Sequence, residues 1–172
     1  ITAASALISQ RGIRCMVLTG PAFIPLPQLP APVVGGLGKL ARYLPGVQAP
    51  AAQSMPDHSV LSHDPSVQEA FDADPLNYHG APPRLTLSTM VIQGKKALDH
   101  ADRLTCPTLI FHGSADELTS PEGSAEFVER VRHAHPDADI HLRVIDGACH
   151  EVLNEPEKDM VLRDLILWLE RH

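Results

Sequence analysis

Apolar residues recur along this chain in two rhythms, short unbroken runs that suit buried strands and spacings of three and four that suit helices. Arg14 to Thr19 (Arg-Cys-Met-Val-Leu-Thr) is an apolar run stopped by Gly20-Pro21, and it predicts a buried parallel strand. Thr108-Leu109-Ile110-Phe111 predicts a second, running over 107–112, and Ile140 to Ile145 predicts a third in which apolar and polar residues alternate. Between and after these strands the period lengthens. Ser120-Pro121 reads as an N-cap followed by proline at the first helical position, with Ala125, Val128, Val131 and Arg132 continuing the helix. Asn154-Glu155-Pro156-Glu157 reads as the opening of a last helix whose Val161, Leu165, Trp168 and Leu169 face the core. Strand, helix, strand, helix at this spacing predicts an α/β fold with a parallel sheet covered by helices. The three strands should lie side by side in chain order, with the outer side of the first an open edge.

Residues before Cys106 are less regular. Ile1, Ala4, Ala6, Leu7 and Ile8 form a helical pattern that begins without a cap, so the chain reads as the C-terminal part of a longer protein. Eight of the 16 prolines fall before residue 57, in a segment of little strand character. Val33, Leu37, Leu40 and Leu44 recur within it at helical spacing and predict one short amphipathic helix. Asp64 to Tyr78 predicts another helical stretch ended by Asp74-Pro75, and residues 85–99 predict a third. No internal repeat is visible.

Composition narrows the class. With 44% hydrophobic and 20% charged residues, the 172-residue chain suits a globular domain with a real core. A net charge of −7 offers no footprint for nucleic acid, and no apolar run approaches the roughly 20 residues that span a bilayer. Cys15, Cys106 and Cys149 are odd in number and irregularly spaced, which fits a reducing, cytoplasmic setting better than a disulfide framework.

Ligands of such sheets bind beyond the carboxyl ends of the strands, and two loops there carry chemistry. His112-Gly113-Ser114-Ala115-Asp116 presents a carboxylate after the second strand, and Asp146-Gly147-Ala148-Cys149-His150 presents an imidazole after the third. Neighbouring strands would bring Asp116 and His150 within hydrogen-bond reach. A carboxylate on Nδ1 fixes the histidine tautomer and stabilises the imidazolium formed when the ring takes a proton from a nucleophile.

The order Asp-Gly-Ala-Cys-His-Glu-x-x-x-Glu from Asp146 resembles the histidine loop of monoacylglycerol-lipase-like α/β-hydrolases, and His112 to Asp116 resembles their acid loop. Ser62-His63-Asp64-Pro65 and Asp74-Pro75-Leu76 resemble segments of their cap and its return. The resemblance implies a partial α/β-hydrolase fold, the C-terminal half of a mostly parallel sheet with flanking helices and an inserted helical cap. It divides the chain into core helix and strand at 1–20, cap and return helix at 21–100, and C-terminal core at 101–172. It implies Asp116 and His150 as the catalytic acid and base of a serine esterase or lipase for monoacylglycerols or similar single-chain esters. It implies no cofactor, a lipid-like ester as partner, and transient contact of the cap with a membrane surface. The family's Gly-x-Ser-x-Gly elbow does not occur here. Ser114 lies in the acid loop, Ser124 inside a helix, and Ser5 has no flanking glycines. The helix at Ile1 resembles the one that follows the elbow, so the serine and the oxyanion loop are expected upstream and the chain alone is expected to be inactive.

Other readings stay open at this stage. The chain could belong to a non-catalytic ligand-binding relative, or to a lysophospholipase or aminopeptidase of the same fold. Asp116 and Asp146 could be turn residues, and His150 a surface histidine. His112, Asp116 and His150 together have the composition of a facial metal triad, although His112 reads better as a structural loop residue. Cys149 reads as packed, since loop neighbours point apart, and Glu151 and Glu155 as solvated, capping or supporting groups rather than catalytic acids. His58, His63, His79, His100, His133, His135 and His172 read as solvated.

Overall fold

The computed structural model describes residues 1–24, 61–78 and 84–172. The helix expected from Val33, Leu37, Leu40 and Leu44, and most of the expected cap, lie outside the described residues.

Three parallel strands, β1 (Met16–Thr19), β2 (Thr108–Gly113) and β3 (Ile140–Ile145), form the sheet in the order β1-β2-β3. Met16 stands opposite Thr108, and Thr108 opposite Ile140, so all three strands end at one rim. β2 is buried at all six positions because both of its faces are covered. Ile110 turns to one core with Leu7, Met16, Leu18, Leu104, Phe127, Val131 and Ile140. Leu109 and Phe111 turn to the other with Ala148, Val152, Val161 and Trp168. Among the described residues no strand pairs with the outer edge of β1.

Helices α1 (Thr2–Ile8), α3 (Arg84–Asp99) and α4 (Pro121–Ala134) share the first core, and α5 (Lys158–Leu169) closes the second. Phe23 stacks on Phe127 with ring centroids 4.3 Å apart, tying the chain just after β1 to α4. The short helix α2 (Pro65–Ala73) begins at Asp64, which accepts from Ser66 N–H at 2.9 Å, and stops at Asp74 before Pro75.

Several local expectations change. α1 buries Ala3, Ala6 and Leu7, while Ile1 and Ile8, seven positions apart, share the opposite, exposed face. In α4 Phe127 rather than Ala125 faces the core, and the Ser120 hydroxyl bonds the Glu122 carboxylate instead of capping the helix. The last helix opens directly after residues 154–157, with Glu157 at its N-cap position but no side-chain capping bond. Its core face is Val161 and Trp168 with Leu165 half-buried, and Leu169 is exposed because it falls outside that stripe. In β3 the alternation fades toward the end: Ile140 is buried but Val144 is exposed, as suits the outer strand of this sheet.

Candidate active site

Strand β2 ends in the turn Ser114–Ala115 that carries Asp116, and β3 ends in the turn Asp146–Gly147 that leads to His150. The two turns are bonded together. Ser114 N–H donates to Ile145 C=O at 3.0 Å, Ala115 N–H to Ala148 C=O at 2.9 Å, and Gly147 N–H to the Ser114 hydroxyl at 2.7 Å. Gly113 makes the crossing feasible, since a Cβ there would stand 2.1 Å from the Cys149 carbonyl oxygen. Ser114 is thus a turn residue, exposed and engaged with the histidine loop.

Asp116 Oδ2 lies 2.8 Å from Nδ1 of His150. The carboxylate is otherwise fully held. Its Oδ1 accepts the N–H groups of Leu118 at 2.8 Å and Thr119 at 2.9 Å. Its Oδ2 accepts the Thr119 hydroxyl at 2.8 Å and faces His112 Nε2 at 3.1 Å. Burial alone would push the Asp116 carboxyl up. The hydrogen bonds from His112, His150 and Thr119 outweigh it and hold the group well below the usual carboxylate range, so it stays ionised. The bond to Asp116 conversely raises His150 above the usual histidine value, against the opposing effect of its own burial. The His150 side chain is 26% exposed, and no described residue bonds its Nε2, which leaves that nitrogen for a reacting group.

His112, by contrast, is fully buried with both ring nitrogens engaged. Nδ1 meets the buried Ser124 hydroxyl at 2.7 Å, and Nε2 lies 3.1 Å from the Thr119 carbonyl oxygen as well as from Asp116. It braces the carboxylate from below. Ser124 is fully buried in this brace.

A second carboxylate supports the histidine loop from the other side. Glu155 is 1% exposed, so of the three roles expected for it the supporting one holds. It accepts Cys149 N–H and His63 N–H, the latter at 3.0 Å, and its oxygens lie 3.2 Å from His63 Nδ1. Burial pushes its carboxyl up, but these donors prevail and keep it low. Two further bonds knit residues 61–63 to this loop: Glu151 N–H to Leu61 C=O at 2.8 Å, and the Ser62 hydroxyl to Asn154 C=O at 2.8 Å. Cys149 turns to His63 while its neighbour His150 turns to Asp116, as expected of loop neighbours, and burial followed by the Glu155 charge pushes the Cys149 thiol up to about 11. A thiol held that high is mostly protonated near neutrality. His172, read as solvated, instead stacks on Trp168 and bonds Asp139 at 2.8 Å.

The sequence pattern did not reveal the closeness of Gly20 to His150, the part played by Thr119, or the buried state of Glu155. The Asp-x-x-Thr spacing of Asp116 and Thr119 is a legible turn signal, because an aspartate accepts readily from N–H groups two and three residues on.

Residues 1–157 match the sequence model of a family described as serine aminopeptidase, S33. The chain belongs to this family. Within it, the chain is monoacylglycerol-lipase-like. It is 35% identical over 158 residues to a monoacylglycerol lipase of Mycolicibacterium smegmatis, covering 91% of this chain and 53% of that protein. It is 31% identical over 116 residues to a monoglyceride lipase of Rattus norvegicus, covering 66% and 37%. Among solved structures, a monoacylglycerol lipase of Paleococcus ferrophilus superposes with a TM-score of 0.82 at 26% identity, over 98% of this chain and 63% of that one. A Saccharomyces cerevisiae monoglyceride lipase shares the fold, with a TM-score of 0.77 at 21% identity over 99% and 62%. The observed fold is accordingly a partial α/β-hydrolase. The chain spans about half the length, or less, of these curated relatives. Among the described residues no helix is long and apolar enough to cross a membrane.

Proposed function

We propose that this chain supplies the acid and base of a serine hydrolase acting on monoacylglycerols or similar single-chain carboxylic esters. The observation that carries the proposal is the His150 ring held by a buried, ionised Asp116 at 2.8 Å, with no described residue bonded to its Nε2. In this reading a serine hydroxyl attacks the ester carbonyl while His150 Nε2 takes its proton. Asp116 stabilises the imidazolium, and the same proton then passes to the leaving alcohol. Water, deprotonated by His150, attacks the acyl-enzyme and releases the fatty acid. The names of the relatives support the substrate class, and they support an ester over a peptide. The 172 residues contain no Gly-x-Ser-x-Gly, so the nucleophile comes from outside them and the chain alone is inactive.

Release of a chromogenic alcohol from a short-chain ester tests this. The 172-residue chain should show no turnover, since loss of the serine alone costs about 10⁶ in comparable hydrolases. A protein extended with a segment bearing Gly-x-Ser-x-Gly should hydrolyse the ester, and His150→Ala should abolish that. Full turnover in the extended His150→Ala protein would overturn the assignment of the base. Turnover by the 172 residues that His150→Ala removes would place a nucleophile among them.

A further inference from the structure

The cluster behind the histidine loop has a composition that acid-base chemistry does not use. His63, Cys149 and Glu155 bring an imidazole nitrogen, a thiol sulfur and a carboxylate oxygen within 4.8 Å of one another. We propose that these three residues form a binding site for one borderline-soft divalent cation, with zinc the best match.

Donor spacing carries the argument. Zinc bonds of about 2.3 Å to sulfur and about 2.0–2.2 Å to nitrogen and oxygen imply tetrahedral edges of roughly 3.5 Å from S to N and 3.3 Å from N to O. Cys149 Sγ lies 3.5 Å from His63 Nδ1, and His63 Nδ1 lies 3.2 Å from Glu155 Oε2. Two edges of the tetrahedron are already in place, and the third, from Cys149 Sγ to a Glu155 oxygen, spans no more than 4.8 Å. The donor set selects the ion. Thiolate and imidazole suit zinc and disfavour calcium and magnesium, which take oxygen. Cys149 and Glu155 are buried while the His63 side chain is 59% exposed, which gives an entry path and a fourth position for water. Glu155 is also braced: Cys149 N–H and His63 N–H hold its two oxygens, as ligating carboxylates are usually held. On binding, the ion displaces the Cys149 S–H proton to solvent. His63 turns the lone pair of Nδ1 to the metal and carries its proton on Nε2, and Glu155 gives up one hydrogen bond from the ring. The ion would pin residues 61–63 to the loop that holds His150.

The test uses the 172-residue chain, titrated with zinc against a chromophoric indicator and separately with cobalt(II). One ion should bind per chain, and cobalt should give tetrahedral visible bands with a thiolate charge-transfer band. Cys149→Ser should remove that band, whereas Cys15→Ser and Cys106→Ser should keep it. His63→Ala, at an exposed side chain, should weaken zinc binding at least about tenfold, since even an outer partner of a ligand is worth that much. Undiminished zinc affinity in Cys149→Ser or His63→Ala would overturn the proposal, because it would trace binding to other histidines. Should Cys149→Ser fail to fold, the unaltered chain still decides: a cobalt spectrum with no thiolate band overturns the site.

Discussion

A β-carbon on Gly20 would stand 2.8 Å from Cε1 and 2.9 Å from Nδ1 of His150, and the Gly20 backbone has φ +49°. The end of β1 therefore forms the floor under the imidazole, and glycine is required there twice, by space and by conformation. Gly20→Ala should cost about 1–2 kcal/mol from the left-handed backbone alone. It should also push the ring off Asp116. In an extended, active protein the turnover should fall far more than the stability. Urea unfolding and ester hydrolysis of the same variant check this, and a ring left in place would show as full turnover.

Asp116 contributes to stability in a pH-dependent way. Its pKa in the folded chain lies below the unfolded value near 3.9, so between those values the unfolded chain binds more protons. The contribution is present above about pH 5 and drains away as the pH falls through 4 toward the folded value. Asp116→Asn replaces a carboxylate that accepts four hydrogen bonds and faces His112 with an amide that brings unwanted donors. It should lose about 1.5–3 kcal/mol at pH 7. The gap between variant and unaltered chain, read from urea midpoints, should narrow at pH 3. A gap of the same size at both pH values would mean the carboxylate is not ionised by its surroundings.

What the residue pattern revealed was local, or nearly so. The strands were legible because β2 and its neighbours are short apolar runs bounded by turn residues, and Asp116 and His150 because each follows directly on its strand. Glu155 was not. Its surroundings, Asn154 to Glu157, have the composition of a helix start, yet the carboxylate turns inward to meet N–H groups of Cys149 and of His63, the latter 92 positions away. Gly20 was legible as a strand stop but not as the floor of a ring that comes 130 residues later. Leu169 and Ala125 misled for the opposite reason: helical spacing alone does not say where a buried stripe ends. Contacts between distant segments decide such positions, and no local window contains them.

Glu155 should behave as a positioning residue. Glu155→Gln keeps one acceptor but turns a donor toward Cys149 N–H or His63 N–H, leaving a buried pair of donors opposed. The expected loss is about 1–3 kcal/mol of stability. In an active, extended protein kcat should drop while the pH midpoint of the reaction stays put, because the residue acts on the placement of His150 and not on its charge. A shifted midpoint would mean that Glu155 acts electrostatically.

The pH dependence of hydrolysis tests the Asp116–His150 pair most directly. His150 is raised by its bond to Asp116, opposed by burial and reinforced by the charges of Asp116 and Glu151. Only the neutral ring can take a proton from a nucleophile, so the acid limb of kcat/KM should have its midpoint above the ordinary histidine value of about 6.5. The stability linkage has the opposite sense. A folded pKa above the unfolded one means that the charged ring stabilises the fold below about pH 6.5, and that this contribution is lost as the pH rises through the folded value. Activity therefore rises over the range in which this part of the stability declines. Asp116→Asn removes the charge that holds the proton. The midpoint of the limb should move down in pH, while the plateau drops by roughly 10⁴ as the ring loses its tautomer. A profile of kcat/KM from pH 5 to pH 9 for both proteins measures the two effects at once. Equal midpoints would show that Asp116 does not act on His150 through its charge, and the base would then have to be sought elsewhere.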